Sequence, residues 1–266
     1  MRLEQLVSEV SDYLLKQDAS SPYLFGVSGG QGAGKSTLCK SLTEALSRAG
    51  RNVVTLALDD FYLPAAARAE LAAKIHPLCA TRGVPGTHDV GLLKATLENL
   101  QNSDAGTKTP LPVFSKSHDD RLPEHDWMIY SGRPDVILLE GWCVGGQARF
   151  ISPEPQTDWE NRHDPHGVWK KWTLSEAAAY DAIWSACRSL LLLRHINFDA
   201  VIDSRWIQEQ GNARDSGVWQ FANRAEVAEF CAHYESWTLG IWQHLPRRAD
   251  FIIGRDAQYD YHHMSD

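Results

Sequence analysis

Apolar residues recur along this chain at two spacings, and the switching between them is the first structural information it carries. Over residues 3–15, Leu3, Leu6, Val7, Val10, Tyr13 and Leu14 fall at three- and four-residue steps, the pattern of an amphipathic helix. The run Tyr23-Leu24-Phe25-Gly26-Val27 then reads as a short buried strand that enters a glycine-rich turn. Residues 35–49 predict a helix stopped by Gly50, and residues 52–58 predict a second strand ending in Asp59-Asp60. A helix is expected near 65–75, followed by a turn-rich stretch at 76–89. Asp89 is placed to cap the next helix, whose apolar face is Val90, Leu93, Leu97 and Leu100. A short strand over 109–114 is confined by Pro110 and Pro112 to a sheet edge or a loop crossing. Asp135-Val136-Ile137-Leu138-Leu139 is a continuous apolar strand of the kind buried on both faces of a parallel sheet. Further strands are expected at 190–193 and 251–253, with helices at 174–188, 198–210 and 222–243. Strands alternating with helices predict an α/β fold, a doubly wound, mainly parallel sheet of about five strands with flanking helices and a lid or insertion.

Residues 143–173 break this rhythm. They combine Pro153, Pro155 and Pro165 with Trp159, Trp169 and Trp172. An irregular stretch of that length inside a compact domain is a lid or binding insertion, and its tryptophans argue for a packed one. Residues 1–266 are otherwise expected to form a single domain, with a candidate lid over 198–220.

Charge and composition narrow the class. Lys and Arg total 26 against 34 Asp and Glu, a net charge of −8, and no basic stripe offers counterion release, so no nucleic-acid partner is expected. No apolar run approaches the ~20 residues that cross a bilayer, and the N-terminus lacks the pattern of a signal peptide, so no membrane partner is expected either. Cys39, Cys79, Cys143, Cys187 and Cys231 are scattered and odd in number, which reads as reduced thiols of a cytoplasmic protein.

The chemistry is concentrated in Gly29-Gly30-Gln31-Gly32-Ala33-Gly34-Lys35-Ser36, followed by Thr37, which satisfies G-x-x-x-x-G-K-[ST] between an expected strand and an expected helix. Glycines let successive N–H groups curl into an anion nest, and the helix that follows adds its positive end. Lys35 is placed to reach the β- and γ-phosphates of ATP, and the Ser36 hydroxyl to ligate Mg²⁺. Gly26-Val27-Ser28-Gly29-Gly30 also matches the nucleophile elbow of hydrolases, but only 25 residues precede it, too few for the strands that come first in that fold. The histidine pairs His163 with His166, and His262 with His263, lack a Cys or carboxylate partner at ligand spacing, so no metal site is expected there.

No [NT]-K-x-D guanine-reading motif occurs, which leaves kinases and ATPases. Phosphoryl transfer needs acidic groups near the γ-phosphate, and ligands sit at the C-terminal ends of parallel strands. Glu140 and Asp59-Asp60 close two such strands, although carboxylates that cap the next helix are the alternative at each.

With these residues the chain resembles the P-loop small-molecule kinases related to uridine kinase, phosphoribulokinase and pantothenate kinase. Asp59-Asp60-Phe61-Tyr62 is similar to their D-x-F-Y segment, and Glu140-Gly141 to their strand-ending E-G. Within the group it resembles D-glycerate 3-kinase of the plant and fungal type and its microbial relatives, through Asp59 to Leu63, Arg82-Gly83-Val84-Pro85-Gly86-Thr87-His88-Asp89, Pro112-Val113-Phe114-Ser115-Lys116-Ser117, and Trp142 after the E-G. Ser115 departs from the aspartate usual at its place, Arg205-Trp206 reverses a W-R pair, and Asp215-Ser216-Gly217-Val218-Trp219 replaces an expected Gly-Met-Ser-Asp stretch.

The resemblance implies a P-loop kinase fold and transfer of the ATP γ-phosphate to a hydroxyl of a small metabolite, with D-glycerate first among acceptors. It implies Asp59 as base, Glu140 as a Mg²⁺-site carboxylate beside Ser36, and Tyr62, Arg82 and Lys116 toward the substrate. Arg121 joins them as a candidate carboxylate partner by proximity in sequence. His88 is a candidate substrate donor, and a structural histidine fits equally well. Arg205 and Arg214 are the lid candidates, and solvated surface arginines fit equally well. A nucleoside or pantothenate-like acceptor, the former stacked by the Trp-rich segment, and an ATP-hydrolysing regulatory or assembly protein are the competing readings.

Overall fold

The computed structural model describes residues 1–216, 219–256 and 260–264. Gly217 and Val218, within the expected lid, lie outside the described residues. The chain runs α1 (Leu3–Leu15), β1 (Tyr23–Gly29), α2 (Lys35–Arg48), β2 (Val53–Ala57), α3 (Ala65–Lys74) and α4 (Val90–Gln101). Short strands follow: β3 (Lys108–Leu111), β4 (Phe114–Ser115), β5 (Asp120–Arg121) and β6 (Met128–Ser131), then β7 (Val136–Gly141). The second half comprises α5 (Asp158–His163), α6 (Val168–Ala177), α7 (Asp181–Ala186), β8 (Ser189–His195), α8 (Phe198–Ser216), α9 (Arg224–Ala232) and α10 (Glu235–His244). It ends with β9 (Phe251–Arg255) and β10 (Tyr261–His263). No helix among the described residues is long and apolar enough to cross a membrane.

Six strands form the central sheet in the order β10-β9-β8-β1-β7-β2, parallel throughout except for β10, which pairs antiparallel with β9. The expected sheet thus gains one strand at its edge, where three residues carry too little periodicity to read. Alternate side chains of the inner strands enter opposite cores. Leu24, Ile137, Leu139, Leu190 and Leu192 face the larger one, shared with α4 and the C-terminal helices. Phe25, Val27, Leu138, Leu191 and Leu193 face the smaller one, closed by Leu6, Val10 and Leu14 of α1 and Leu38, Leu42 and Leu46 of α2. Each fully buried Leu contributes roughly 1.5–3 kcal/mol of transfer free energy, so the inner strands are held from both sides.

Three local expectations change. The single strand expected at 109–114 divides, because Lys108–Leu111 pairs with β6 while Phe114–Ser115 pairs with β5. The helices expected at 174–188 and 222–243 are each broken, the first by a 3₁₀ turn at Ala178–Tyr180 and the second between Ala232 and Glu235. The segment 143–173 is irregular only in part, since it contains α5 and the start of α6, with Trp159 and Trp169 buried in the larger core. Thr157 caps α5, accepting from the Glu160 N–H at 3.1 Å while Glu160 accepts in return from the Thr157 N–H at 3.3 Å.

Glu160 also holds this insertion to the rest of the domain. Its carboxylate accepts from Lys170 Nζ at 2.8 Å and from the Ser236 hydroxyl at 2.6 Å. The two charged side chains are 1% (Lys170) and 2% (Glu160) exposed. Replacing one partner of such a pair strands the other charge in the core. Lys170→Met is expected to lower the unfolding free energy by about 3 kcal/mol, read from urea denaturation. Lys74→Met, in an exposed pair with Glu70 on α3, is expected to change it by less than about 0.5 kcal/mol.

Candidate active site

Because β1 lies between β7 and β8, the turn that leaves it emerges at the C-terminal edge of the sheet, where the crevice between oppositely running crossovers opens. Residues 30–34 form that turn, with Gly32 at φ 71° and Gly34 at φ 92°. At Gly32 a Cβ would meet the Ser204 backbone of α8 at 2.8 Å, so loop and helix touch only because no side chain intervenes. Lys35 opens α2 and folds back, its Nζ donating to the carbonyls of Gly29 at 2.8 Å and Gly30 at 3.1 Å. Glu140 stands opposite Val27 in the β1/β7 register, one residue from the strand end. That placement brings its Oε1 within 2.6 Å of the Ser36 hydroxyl, which donates to it. Two hard oxygen donors so joined, on neighbouring elements, fit a Mg²⁺ ion that keeps most of its waters.

The end of β2 supplies the other carboxylates. Asp59 Oδ1 accepts from the Tyr62 hydroxyl at 2.9 Å and Oδ2 from Lys116 Nζ at 2.9 Å. Burial pushes Asp59 upward, but Lys116, Lys35 and the Tyr62 hydroxyl outweigh it and hold the group at about 2. Its neighbour Asp60 goes the other way. Burial lifts it to about 6, with the Phe114 N–H opposing and the Asp59 charge adding to the rise.

Gln31, Gly32, Gly34, Lys35, Ser36, Thr37, Asp59, Tyr62, Arg82, Lys116, Glu140 and Arg205 line one cavity of about 650 Å³. Gly29, Gly30 and Ala33 are not among its lining residues. Arg82 is presented by the stretch 82–89, which aromatic groups hold in place. The Tyr234 hydroxyl donates to the Arg82 carbonyl at 2.7 Å, and Trp142 Nε1 to the Gly83 carbonyl at 2.8 Å. The Arg82 guanidinium pairs with Asp119 and lies 5.4 Å from the centre of the Phe114 ring.

Three expected residues do not reach the cavity. His88 is buried, bonded through Nδ1 to the Tyr180 hydroxyl at 2.8 Å and stacked on Tyr62, and desolvation lowers it to about 4. It serves as packing beneath Tyr62, because its neighbours are aromatic rings rather than open space. Arg121 is turned toward Asp89, the cap of α4, at 3.0 Å, since its hairpin runs along that helix start. Arg214 is exposed near the end of α8, about two turns beyond Arg205. Arg205 itself is buried, donating to Glu209 and to Gln220, each at 3.1 Å, and lying 5.2 Å from the Phe221 ring.

Asp60 and Trp142 line the cavity as well, and so do residues that the sequence did not single out: Gln208, Gln220, Tyr234 and Arg255. Arg255 closes β9 and donates to the Gly32 carbonyl, a strand-end position of the same kind as Glu140. The rule that exposed Glu140 would have found it.

The Zeta toxin family model matches residues 8–100. The chain is 32% identical over 245 residues to the uncharacterized kinase mug58 of Schizosaccharomyces pombe, covering 87% of this chain and 86% of that protein. It is 32% identical over 168 residues to the chloroplastic D-glycerate 3-kinase of Arabidopsis thaliana, covering 58% of this chain and 37% of that protein. Among solved structures, a D-glycerate 3-kinase from Cryptococcus neoformans superposes with a TM-score of 0.75 at 20% identity, covering 97% of this chain and 99% of that one.

The raised Asp60 has a consequence for stability. Between its unfolded value near 4 and its folded value of about 6, the folded chain keeps a proton that the unfolded chain has released. Asp60 therefore removes stability as pH rises through that window. The stability of Asp60→Asn relative to the parent is expected to rise from pH 4 to pH 6.5 and then level off, read from urea midpoints across pH.

Proposed function

We propose that this chain, which belongs to the P-loop kinase family, transfers the γ-phosphoryl group of ATP to a hydroxyl of a small carboxylate-bearing metabolite, with D-glycerate the acceptor that fits best. The observation that carries the acceptor class is that two cations, Lys116 on Asp59 and Arg82 beside Asp119, line the same cavity as Asp59. A carboxylate one or two atoms from the reacting hydroxyl finds its cations there, and arginine offers a paired contact. The likeness to a D-glycerate 3-kinase over 58% of this chain supports the same choice.

In this reading the loop N–H groups and the α2 N-terminus hold the phosphates, and Lys35 spreads positive charge over the transferred group. Ser36 and Glu140 hold Mg²⁺, which when bound neutralises charge on the phosphoryl oxygens. Asp59 accepts the proton of the attacking hydroxyl. Arg205 and Arg255, which approach from α8 and from the end of β9, close the cavity over the nucleotide side. A nucleoside stacked by the Trp-rich segment finds less support, because Trp159 and Trp169 are core residues and Trp142, the tryptophan lining the cavity among the described residues, is nearly buried.

The test is ADP release over a panel of D-glycerate, pantothenate, uridine and sugar alcohols. D-Glycerate is expected to give the largest kcat/KM, and a preference for uridine or a sugar alcohol overturns the acceptor class. Lys35→Ala is expected to abolish transfer while leaving the fold intact by circular dichroism. Asp59→Asn is expected to retain nucleotide binding and slow transfer by about 10²- to 10⁴-fold.

A further inference from the structure

We propose that Lys116 is a specificity switch that caps the catalytic carboxylate of Asp59 until an anionic group on the acceptor draws it away. The inference rests on the reading of Asp59 as the proton acceptor and deepens it.

Both oxygens of Asp59 are occupied, and by partners of opposite character. Tyr62, on Oδ1, is buried, stacked on His88 with ring centres 4.6 Å apart and edge-on to Phe114 at 5.3 Å, so it stays where it is. Lys116, on Oδ2, is 62% exposed, and Asp59 is the acceptor of its ammonium among the described residues. An ion pair that open to water is worth little and exchanges readily.

The segment that carries Lys116 is built to keep it near Asp59 without holding the ammonium itself. It is the tip of the hairpin formed by β4 and β5, and every anchor of that hairpin lies away from the tip cation. Asp60 accepts from the Phe114 N–H at 3.1 Å, Asp120 accepts from the Ala65 N–H at 3.1 Å, and Arg68 donates to the Asp119 carbonyl at 2.6 Å. Arg82 pairs with the Asp119 carboxylate, and Arg121 pairs with Asp89. A fixed stem thus presents a flexible four-carbon arm ending in one charge.

Capping sets the chemistry. While Lys116 sits on Oδ2, its ammonium occupies one lone pair of that oxygen, and the charge beside it makes the carboxylate a weak base. An acceptor with its own carboxylate offers Lys116 an equivalent partner a short arm-swing away. The freed Oδ2 then takes the proton of the acceptor hydroxyl as the oxygen–phosphorus bond forms. The bond from that phosphorus to the β–γ bridging oxygen breaks, and the oxygen leaves with ADP. Burial of Asp59, no longer opposed by Lys116, raises its basicity at that moment. A neutral polyol brings no anion, and neither does water, so both encounter a capped base. Selectivity against them lies in kcat rather than in KM, and wasteful hydrolysis of ATP is suppressed until the acceptor arrives.

The decisive measurement uses no acceptor with a terminal hydroxyl and reads the release of inorganic phosphate. ATP hydrolysis is followed in the parent protein and in Lys116→Met, with and without D-lactate, a carboxylate that lacks the terminal hydroxyl. In the parent, D-lactate is expected to stimulate hydrolysis about tenfold. In Lys116→Met, basal hydrolysis is expected to be about that much higher and indifferent to D-lactate, with Lys116→Arg retaining the response. No stimulation in the parent, or equal stimulation in Lys116→Met, overturns the inference. A parent that responds to D-lactate yet phosphorylates pantothenate in preference to D-glycerate upholds the switch and overturns the acceptor assignment alone. A second readout separates a switch from a structural lysine. The kcat ratio of D-glycerate to glycerol is expected to fall from about 100 or more in the parent to below about 10 in Lys116→Met, and an unchanged ratio overturns the inference.

Discussion

Hydrogen bonding of β1 to two parallel neighbours, β7 on one side and β8 on the other, sets the position of the phosphate loop and of Glu140, on which the rest of the cavity is assembled. Parallel pairing brings strand C-termini to one edge, so the loop after β1, Glu140 near the end of β7 and Arg255 at the end of β9 share that edge by construction. The β1/β7 register places Val27 beside Glu140, and that offset allows the Ser36 hydroxyl to reach the Glu140 carboxylate. A slip of one residue would turn Glu140 toward the opposite core and separate the two oxygens. The crossovers that parallel pairing requires provide the helices that bury both faces of the sheet.

Electrostatic asymmetry within the cavity follows from the same placement. Asp59 and Asp60 are adjacent in the chain, yet one is drawn down to about 2 and the other raised to about 6. Burial opposes ionisation at both. The difference is that two lysines and a tyrosine hydroxyl address Asp59, whereas Asp60 receives one backbone N–H and faces the Asp59 charge. The surplus of acids in the chain as a whole is immaterial here, because backbone N–H groups and a few cations decide the local potential.

The Trp-rich half of the chain acts on the cavity from beneath. Tyr180, Trp142 and Tyr234 each hydrogen-bond to residues 82–88, and these bonds hold Arg82 at the cavity wall. A Cβ at Gly83, which has φ 137°, would stand 2.2 Å from the Tyr234 ring, so the stretch accepts only glycine at that point. The glycines and Thr87 of this stretch are thus scaffold for one arginine. His88, which its polarity marks as a substrate donor, is part of the same packing.

Periodicity and the phosphate-loop spacing already contain the α/β class, the strands β1, β2, β7 and β8, the loop with Lys35 and Ser36, and the strand-end acids Asp59 and Glu140. These are local properties: alternation, glycine spacing and the residue that ends an apolar run are visible within a few positions. The three-residue edge strand, the helices inside 143–173 and the fate of each cation are not local. Arg82, Lys116, Arg121, Arg205 and Arg214 look alike in the chain, and each one's environment depends on which acid or open space the fold brings to it. Arg121 meets Asp89, Arg205 meets Glu209, Arg214 meets solvent, and Lys116 meets Asp59. Long-range pairing assigns those partners, and a linear reading has no term for it.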